Sequence, residues 1–284
     1  MTKINLVQII SDIYRKTVNK NTKYIHNQKY SIEDYVTEII QFLNNETYWT
    51  RHIGKINGKL LNSKHNEFVK HNIYELAYQH ILNLHLQRNK ISKLKYCSTD
   101  VLFIKNKGII FHGLNESNKK LGRCKYYKNK RGIKVSVIVD SFGIPINLNT
   151  LFGNFHDSMA FRNTFNPESF ITESSKPKYF LADSAYDSND IRTTLINHNF
   201  IPLIDVNKRN SKSNTTTTND RLYKSSLNKM KYKKVYKKRS KVEHYFSWLT
   251  RYPKMNMVVE STIESFKGLV YLAASLVLTK KINK

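Results

Sequence analysis

Asp100, Asp183 and Glu243 stand in three segments of this 284-residue chain whose local patterns suit a carboxylate meant to hold a metal. Asp100 lies inside the β-like run Tyr96-Cys97-Ser98-Thr99-Asp100-Val101-Leu102-Phe103-Ile104. Asp183 ends the apolar run Tyr179-Phe180-Leu181-Ala182. Glu243 follows a basic stretch and lies on a helix beginning near Tyr236. Hard ions such as Mg²⁺ and Mn²⁺ prefer such oxygen donors. Two of them roughly 4 Å apart can clamp an in-line phosphoryl displacement, one activating water or a 3′-hydroxyl and the other steadying the leaving oxygen. No Ser/His/Asp arrangement, P-loop or zincin motif competes in this sequence, and the spacing of His80 and His85 suits no helical metal pair.

The elements that must position these acids can be read from periodicity. From about residue 93 the pattern is that of a sheet: a strand over 96–104, a cleanly alternating strand over 134–140, a tight turn at 141–144 and a return over 145–151. A short helix starts at 157–162, capped by Asp157 or Ser158. Strand 178–182, helix 188–197 and strand 200–206 follow. Three meandering strands and then strand–helix alternation give the α/β class, a mixed β-sheet flanked by helices. Adjacent strand ends would supply two rigid carboxylates and a helix the third. At about 100° per residue, Tyr236, Arg239 and Glu243 fall in a sector roughly 60° wide, beside an apolar face of Val242, Tyr245, Phe246 and Leu249. The bland alternative, a simple Arg239–Glu243 pair one turn apart, is worth about a few tenths of a kcal/mol.

Charge points to the partner. Lys and Arg number 48 against 21 Asp and Glu, a net charge of +27. Such a balance raises the local concentration of polyanions and speeds their association, so nucleic acid is the expected partner. Part of the excess is a compositional bias toward Lys, Asn, Ile and Tyr. Eight cations, Lys229, Lys231, Lys233, Lys234, Lys237, Lys238, Arg239 and Lys241, enter the Glu243 helix with no acid among them. A run like this is usually a solvated face; leading into that helix, it suits phosphate contact. The two cysteines, Cys97 and Cys124, allow no disulfide framework and imply a reducing, intracellular setting. The N-terminus turns polar too soon for a signal peptide, and the uncharged apolar run 268–279 is too short to span a bilayer. A soluble protein with no membrane partner is expected.

The flanks read as helical. In residues 1–92, Ile4, Val7, Ile10, Ile13 and Tyr14 recur at helical spacing, and Ser31 with Asp34 opens a second stripe of Tyr35, Val36, Ile39, Ile40 and Leu43. A third helix is expected over about 67–86, with Phe68, Ile73, Leu76, Ala77, Ile81 and Leu84 inward. The basic connector from Trp49 to Lys55 suits DNA reading and scaffolding equally. Residues 207–230 read as a polar loop and 261–284 as a C-terminal packing helix. Trp49 and Trp248 read as core aromatics.

Several blocks resemble DDE transposases of bacterial insertion sequences, with related copies in Harbinger-type elements and large DNA viruses. They are residues 95–108, 126–134 and 139–145, then Gly153-Asn154-Phe155-His156-Asp157-Ser158 and Leu181-Ala182-Asp183-Ser184-Ala185-Tyr186-Asp187-Ser188. The last, residues 236–243, fits a Tyr-x-x-Arg-x-x-x-Glu pattern. The resemblance implies an RNase H-like core over 93–260 that uses two divalent ions, Mg²⁺ or Mn²⁺, held by Asp100, Asp183 and Glu243. It also implies that Tyr236 and Arg239 contact DNA phosphate or hold the active-site strand, and that the helical domain 1–92 binds terminal inverted repeats. Double-stranded DNA, both element ends and target, would be the partner of a homo-oligomer assembled on it. The setting would be a bacterial cytoplasm, or a nucleus or viral factory. The reaction implied is hydrolytic cleavage followed by joining of 3′-ends; an inactive DNA-binding copy and a nuclease without strand transfer are the alternatives. Asp140 is the rival for the first acid, at a turn where the family carries a structural Asp. Where many relatives have Lys after the Glu, this chain has Thr250, and Arg251 one position later joins Lys233, Lys234, Lys237 and Lys238 as an expected DNA contact.

Overall fold

A computed structural model describes residues 3–18, 29–89, 95–107, 122–170, 178–207 and 233–283. The expectations for Lys229, Lys231 and the 208–230 stretch of the polar loop lie outside these. The chain divides into two compact units: Met1–Asn89 with Ile104–Ile133 and Trp248–Lys284, and Lys90–Phe103 with Lys134–Ser247.

In the first unit the N-terminal helices pack on the C-terminal one. Helix α1 (Leu6–Val18) buries Leu6, Ile10 and Tyr14 at i, i+4, i+8. Helix α2 (Ile32–Leu43) opens with the expected capping box, Ser31 accepting from the Asp34 backbone and the Asp34 carboxylate accepting from Ser31. The single helix expected over 67–86 is instead two, α3 (Gly58–Lys70) and α4 (Ile73–Asn89). The break is Asn72, at φ 54°, a left-handed conformation that Asn tolerates better than most residues. The new phase turns Tyr74 and Tyr78 inward and leaves Leu76 exposed. Helix Ile263–Ile282 is buried nearly all round, by Phe266, Leu269, Val270, Leu272, Ala273, Ala274, Val277 and Leu278. Asn283 brackets Ile4, accepting from its N–H and donating to its C=O. Among the described residues no helix is long and apolar enough to cross a membrane. The Trp49–Lys55 connector is tied inward: Trp49 stacks on Phe42, and Glu38 accepts from the Lys55 N–H and pairs with His52.

The strands expected from alternation are present. They are β1 (Tyr96–Asn106), β3 (Lys130–Val139), β4 (Pro145–Phe152), β5 (Lys178–Ala182) and β6 (Phe200–Ile204). The end of β1 and the start of β3 belong to the first unit and the rest to the second. A short β2 (Arg123–Cys124) pairs antiparallel with the start of β3, and β7 (Met257–Val258) parallel with the end of β1, within the first unit. The strand order is β4-β3-β1-β5-β6, with β1, β5 and β6 parallel. This mixed sheet, built from an initial meander and a parallel half, has the order of an RNase H-like core. Pro202 is tolerated because β6 is the last strand of the row.

Pleat alternation separates the sheet's two faces. Cys97, Ile138, Phe180, Ala182 and Ile204 share one apolar cluster with residues of α5 (Asp157–Thr164) and α6 (Asn189–Asn197). Tyr96, Leu181 and Leu203 form the other cluster, against which Val235 and Tyr236 pack. The segment leading to Glu243 is therefore seated on the face opposite the α5 and α6 helices. Its backbone is helical over 233–236, a 3₁₀ turn over Lys237–Ser240 and α-helical over Lys241–Leu249. The uniform 100° ruler of the sequence reading thus has one tighter turn in it.

Candidate catalytic site

Asp100 and Asp183 are brought together by strand register. Parallel β1 and β5 pair Tyr96 with Tyr179 and Ser98 with Leu181. Asp100, still within β1, and Asp183, just past the end of β5, are each two residues further on. Cys97, Ser98 and Thr99 are buried, and Thr99 Oγ1 donates to the Val137 carbonyl at 3.0 Å, fixing β1 against β3 just before Asp100. One Asp100 oxygen accepts from the Val101 N–H at 2.8 Å. Asp183 caps the 3₁₀ turn Ser184–Tyr186, Oδ1 accepting from the Ala185 N–H at 2.8 Å.

Arg239 links these to Glu243. Its Nη1 lies 3.4 Å from Asp100 Oδ2 and its Nη2 3.1 Å from Glu243 Oε1. The Glu243 side chain is 54% exposed, against 27% for Asp100. The i,i+4 pair foreseen as the bland alternative is present, but the same guanidinium also reaches a carboxylate on a β-strand. Tyr236 holds this segment down: its hydroxyl donates to the Ala182 carbonyl at 3.3 Å, next to Asp183 in sequence. Burial, and then the neighbouring Asp205 carboxylate, push that phenol well above its ordinary range.

The electrostatics are lopsided. Burial pushes the Asp100 carboxyl up to about 6; the Val101 N–H and Arg239 oppose the rise, while the charges of Asp183 and Asp157 add to it. Asp157, expected from the sequence only as a candidate helix cap, is the further acid that acts here. The cap of α5 is in fact His156, accepting from the Ser158 N–H. Asp157 instead pairs at 2.8 Å with Lys134, a buried lysine on β3 that also donates to the Phe155 carbonyl. The available signal was a lysine in the middle of an apolar alternating strand, which needs a partner.

Asp140, the rival first acid, is 2% exposed, and its Oδ1 accepts from the Phe142 and Ile144 N–H groups at 2.8 Å each. It sets the β3–β4 turn. Asp187 is likewise used internally, by Arg192 and the Asn207 N–H. Lys233, Lys234, Lys237 and Lys238 are exposed, with Lys238 Nζ over the Tyr96 ring at 5.4 Å. Arg251 is exposed and belongs to the other compact unit.

In kind, the donors fit a hard divalent cation: they are all carboxylate oxygens, and a dication would offset both the burial that chiefly raises Asp100 and the repulsion from Asp183 and Asp157 that adds to it. In position they are not closed around one point. Among the described residues no three His, Cys, Asp or Glu side chains converge closely enough to hold an ion. Arg239 spans Asp100 and Glu243 with its own charge.

Comparison with known proteins gives the family. A protein named as transposase for insertion sequence element IS6501 of Brucella ovis is 24% identical over 144 residues, 51% of this chain and 95% of that one. A solved structure, a piggyBac transposase synaptic complex with hairpin DNA, aligns with a TM-score of 0.30 at 9% identity, covering 98% of this chain and 79% of that one. The family model for the transposase DDE domain matches residues 95–278. That stretch runs from the start of β1 through Asp100, Asp183 and Glu243 into the C-terminal helix, and the chain belongs to the DDE transposase family.

Proposed function

We propose that this chain cuts DNA at the ends of a mobile element and joins the freed 3′-ends to target DNA, with Asp100, Asp183 and Glu243 as its metal-binding carboxylates. The observation that carries the reading is the register that sets Asp100 and Asp183 each two residues past the Ser98–Leu181 pair of parallel strands, with Arg239 bridging from Asp100 to Glu243. In the first step water attacks an end phosphodiester, the P–O3′ bond breaks, and a 3′-hydroxyl and a 5′-phosphate are left. In the second, that 3′-hydroxyl attacks a target phosphodiester and a target 3′-oxygen leaves. Two Mg²⁺ or Mn²⁺ ions bound by the three acids would activate the attacking oxygen and neutralise the leaving one.

The chain's own residues do the rest. Asp100 inside β1, and not at a strand end as expected, and Asp183 just past β5 are held rigidly, since each carboxylate already accepts a backbone N–H. Tyr236 pins the segment that carries Glu243 to the β5 backbone. Arg239, whose planar fork suits a phosphate as well as a carboxylate, would pass from the carboxylates to the DNA backbone. Lys233, Lys234, Lys237, Lys238 and Arg251 would meet further phosphates, and the N-terminal helices the inverted repeats, in an oligomer assembled on the DNA.

Duplexes carrying the inverted repeats that flank the gene are the test. They are expected to be nicked with Mg²⁺ or Mn²⁺ and left intact in EDTA, and cleavage undiminished by EDTA would overturn the reading.

A further inference from the structure

A cavity of about 570 Å³ opens within the first unit, in the size range of roughly 300–1,000 Å³ usual for small-ligand sites. Trp248, Arg251 and Tyr252 line it from the segment after Glu243, Lys280 and Lys281 from the C-terminal helix, and Lys3 from the N-terminus. Among the described residues that line it there are four cations and no Asp or Glu. Lys281 Nζ lies 3.5 Å from the centroid of the Trp248 ring. Lys280 Nζ lies 5.4 Å from that of Tyr252 and 3.3 Å from its hydroxyl. A cation on an aromatic face keeps its full charge. An anion entering the cavity therefore meets several positive groups and two rings at once.

We propose that this cavity is a nucleotide subsite, taking one phosphate-bearing nucleotide of a DNA strand. Arg251, Lys280 and Lys281 would hold the phosphate, and Trp248 or Tyr252 the base. The proposal rests on the reading that DNA is the substrate and shares Arg251 with it as a phosphate contact, but uses none of the three metal-binding acids. A lone phosphate needs only the cations, and an apolar ligand only the rings; a nucleotide uses both. Lys281 would exchange the Trp248 face for the phosphate, which opens that face to a base. Stacking of this kind accepts any base, because every base has a π-face.

Tryptophan emission tests it, because the chain has two tryptophans and Trp49 is buried against Phe42. Full-length protein in EDTA is titrated with 5′-phosphorylated pentathymidylate, and separately with inorganic phosphate and thymidine. Pentathymidylate is expected to quench the emission, and Trp248→Phe to abolish the quench. Arg251→Gln and the Lys280→Gln/Lys281→Gln pair, each checked for an unchanged melting temperature, are expected to weaken the apparent Kd at least about threefold and flatten its salt dependence. Absence of quenching, or unchanged affinity in both charge variants, overturns the subsite. So does competition by inorganic phosphate equal to that of the oligonucleotide, which leaves an anion site only. Cleavage of end-bearing duplex with Mn²⁺ is measured alongside. No quench with intact cleavage sinks the subsite alone, and quench without cleavage sinks the proposed reaction alone.

Discussion

The two units each contain a cluster of polar groups drawn from distant parts of the sequence, and the clusters are built on opposite rules. In the first unit Tyr74, His65, Ser265, Glu260 and Trp49 form one chain of hydrogen bonds. Ser265 donates to Glu260 at 2.6 Å and Trp49 Nε1 donates to the same carboxylate at 3.0 Å. The Ser265 hydroxyl oxygen then accepts from His65 Nε2 at 3.0 Å, which leaves His65 Nδ1 to accept from Tyr74 at 3.0 Å. Every proton has a place if His65 is neutral, and burial lowers its pKa in that direction. In the second unit acids gather without enough donors. Asp100 faces the charges of Asp183 and Asp157, and Arg239 is shared between Asp100 and Glu243. A buried network that is satisfied specifies structure. One left short of positive charge is what the proposed metal binding would complete.

The largest effects should come from removing carboxylates from the deficient cluster. Asp183→Asn, Glu243→Gln and Asp100→Asn keep the side-chain shape. Each should lower metal-dependent cleavage by more than the roughly 10–100-fold that follows loss of an outer-shell partner, while DNA binding measured by anisotropy persists. Asp140→Asn should act instead through stability, because its carboxylate accepts two turn N–H groups. If Asp140→Asn abolishes cleavage at full stability and Asp100→Asn does not, the first acid has been misassigned.

The satisfied cluster should respond the other way, in stability rather than chemistry. Glu260→Ala strands the Trp49 N–H and the Ser265 hydroxyl. It also removes the carboxylate whose charge supports Lys254, a buried ammonium pulled down to about 8 mainly by burial. A loss of about 3 kcal/mol is expected in urea unfolding. Glu260→Gln, which can still accept, should cost about 1 kcal/mol. Equal losses from the two variants would mean that the network is not what holds this region.

Acidity sharpens the contrast. Asp100 has a folded-state pKa of about 6 against an ordinary 3.8, so folding favours its protonated form. The resulting penalty is absent below about pH 4, grows between the two values and is complete above about pH 6. In EDTA, Asp100→Asn should therefore stabilise the protein at pH 8 and not at pH 4. The expected gain is about 1–2 kcal/mol, reduced for a carboxylate that still touches solvent. Mn²⁺ should raise the melting temperature of the unsubstituted protein more than that of the variant.

How much of this is legible in the sequence depends on whether the cause is local. The five main strands of the sheet, the Ser31 capping box and the Arg239–Glu243 pair are written in spacing within one segment, and all are present. The split between α3 and α4 is hidden because one Asn at positive φ resets the helical phase without disturbing composition. The Lys134–Asp157 pair and the Glu260 network join residues 23 and up to 211 positions apart. No periodicity within a segment encodes such meetings; only packing does. The approach of Asp100 to Asp183 is long-range too, yet it is reached through the family resemblance and through the expectation of carboxylates on adjacent strands, although Asp100 lies inside β1 and not at its end.

The smallest effects belong to the basic run, a charged feature that neither cluster uses. Lys233, Lys234, Lys237 and Lys238 are exposed beside a segment whose other side is pinned to the sheet by Tyr236. If they meet DNA, they do so through phosphates, and a phosphate contact positions without reading sequence. Every phosphate no longer neutralised should lower the slope of log affinity against log salt by about 0.9 on duplex DNA. Replacing all four lysines by Gln should flatten the slope and weaken cognate and random duplexes alike, leaving the ratio between them unchanged. Anisotropy titrations on both duplexes over a range of salt read all three quantities. An unchanged slope would return the run to the status of a solvated face. A fall in the ratio would show instead that these lysines read bases, and that end recognition is not confined to the N-terminal helices.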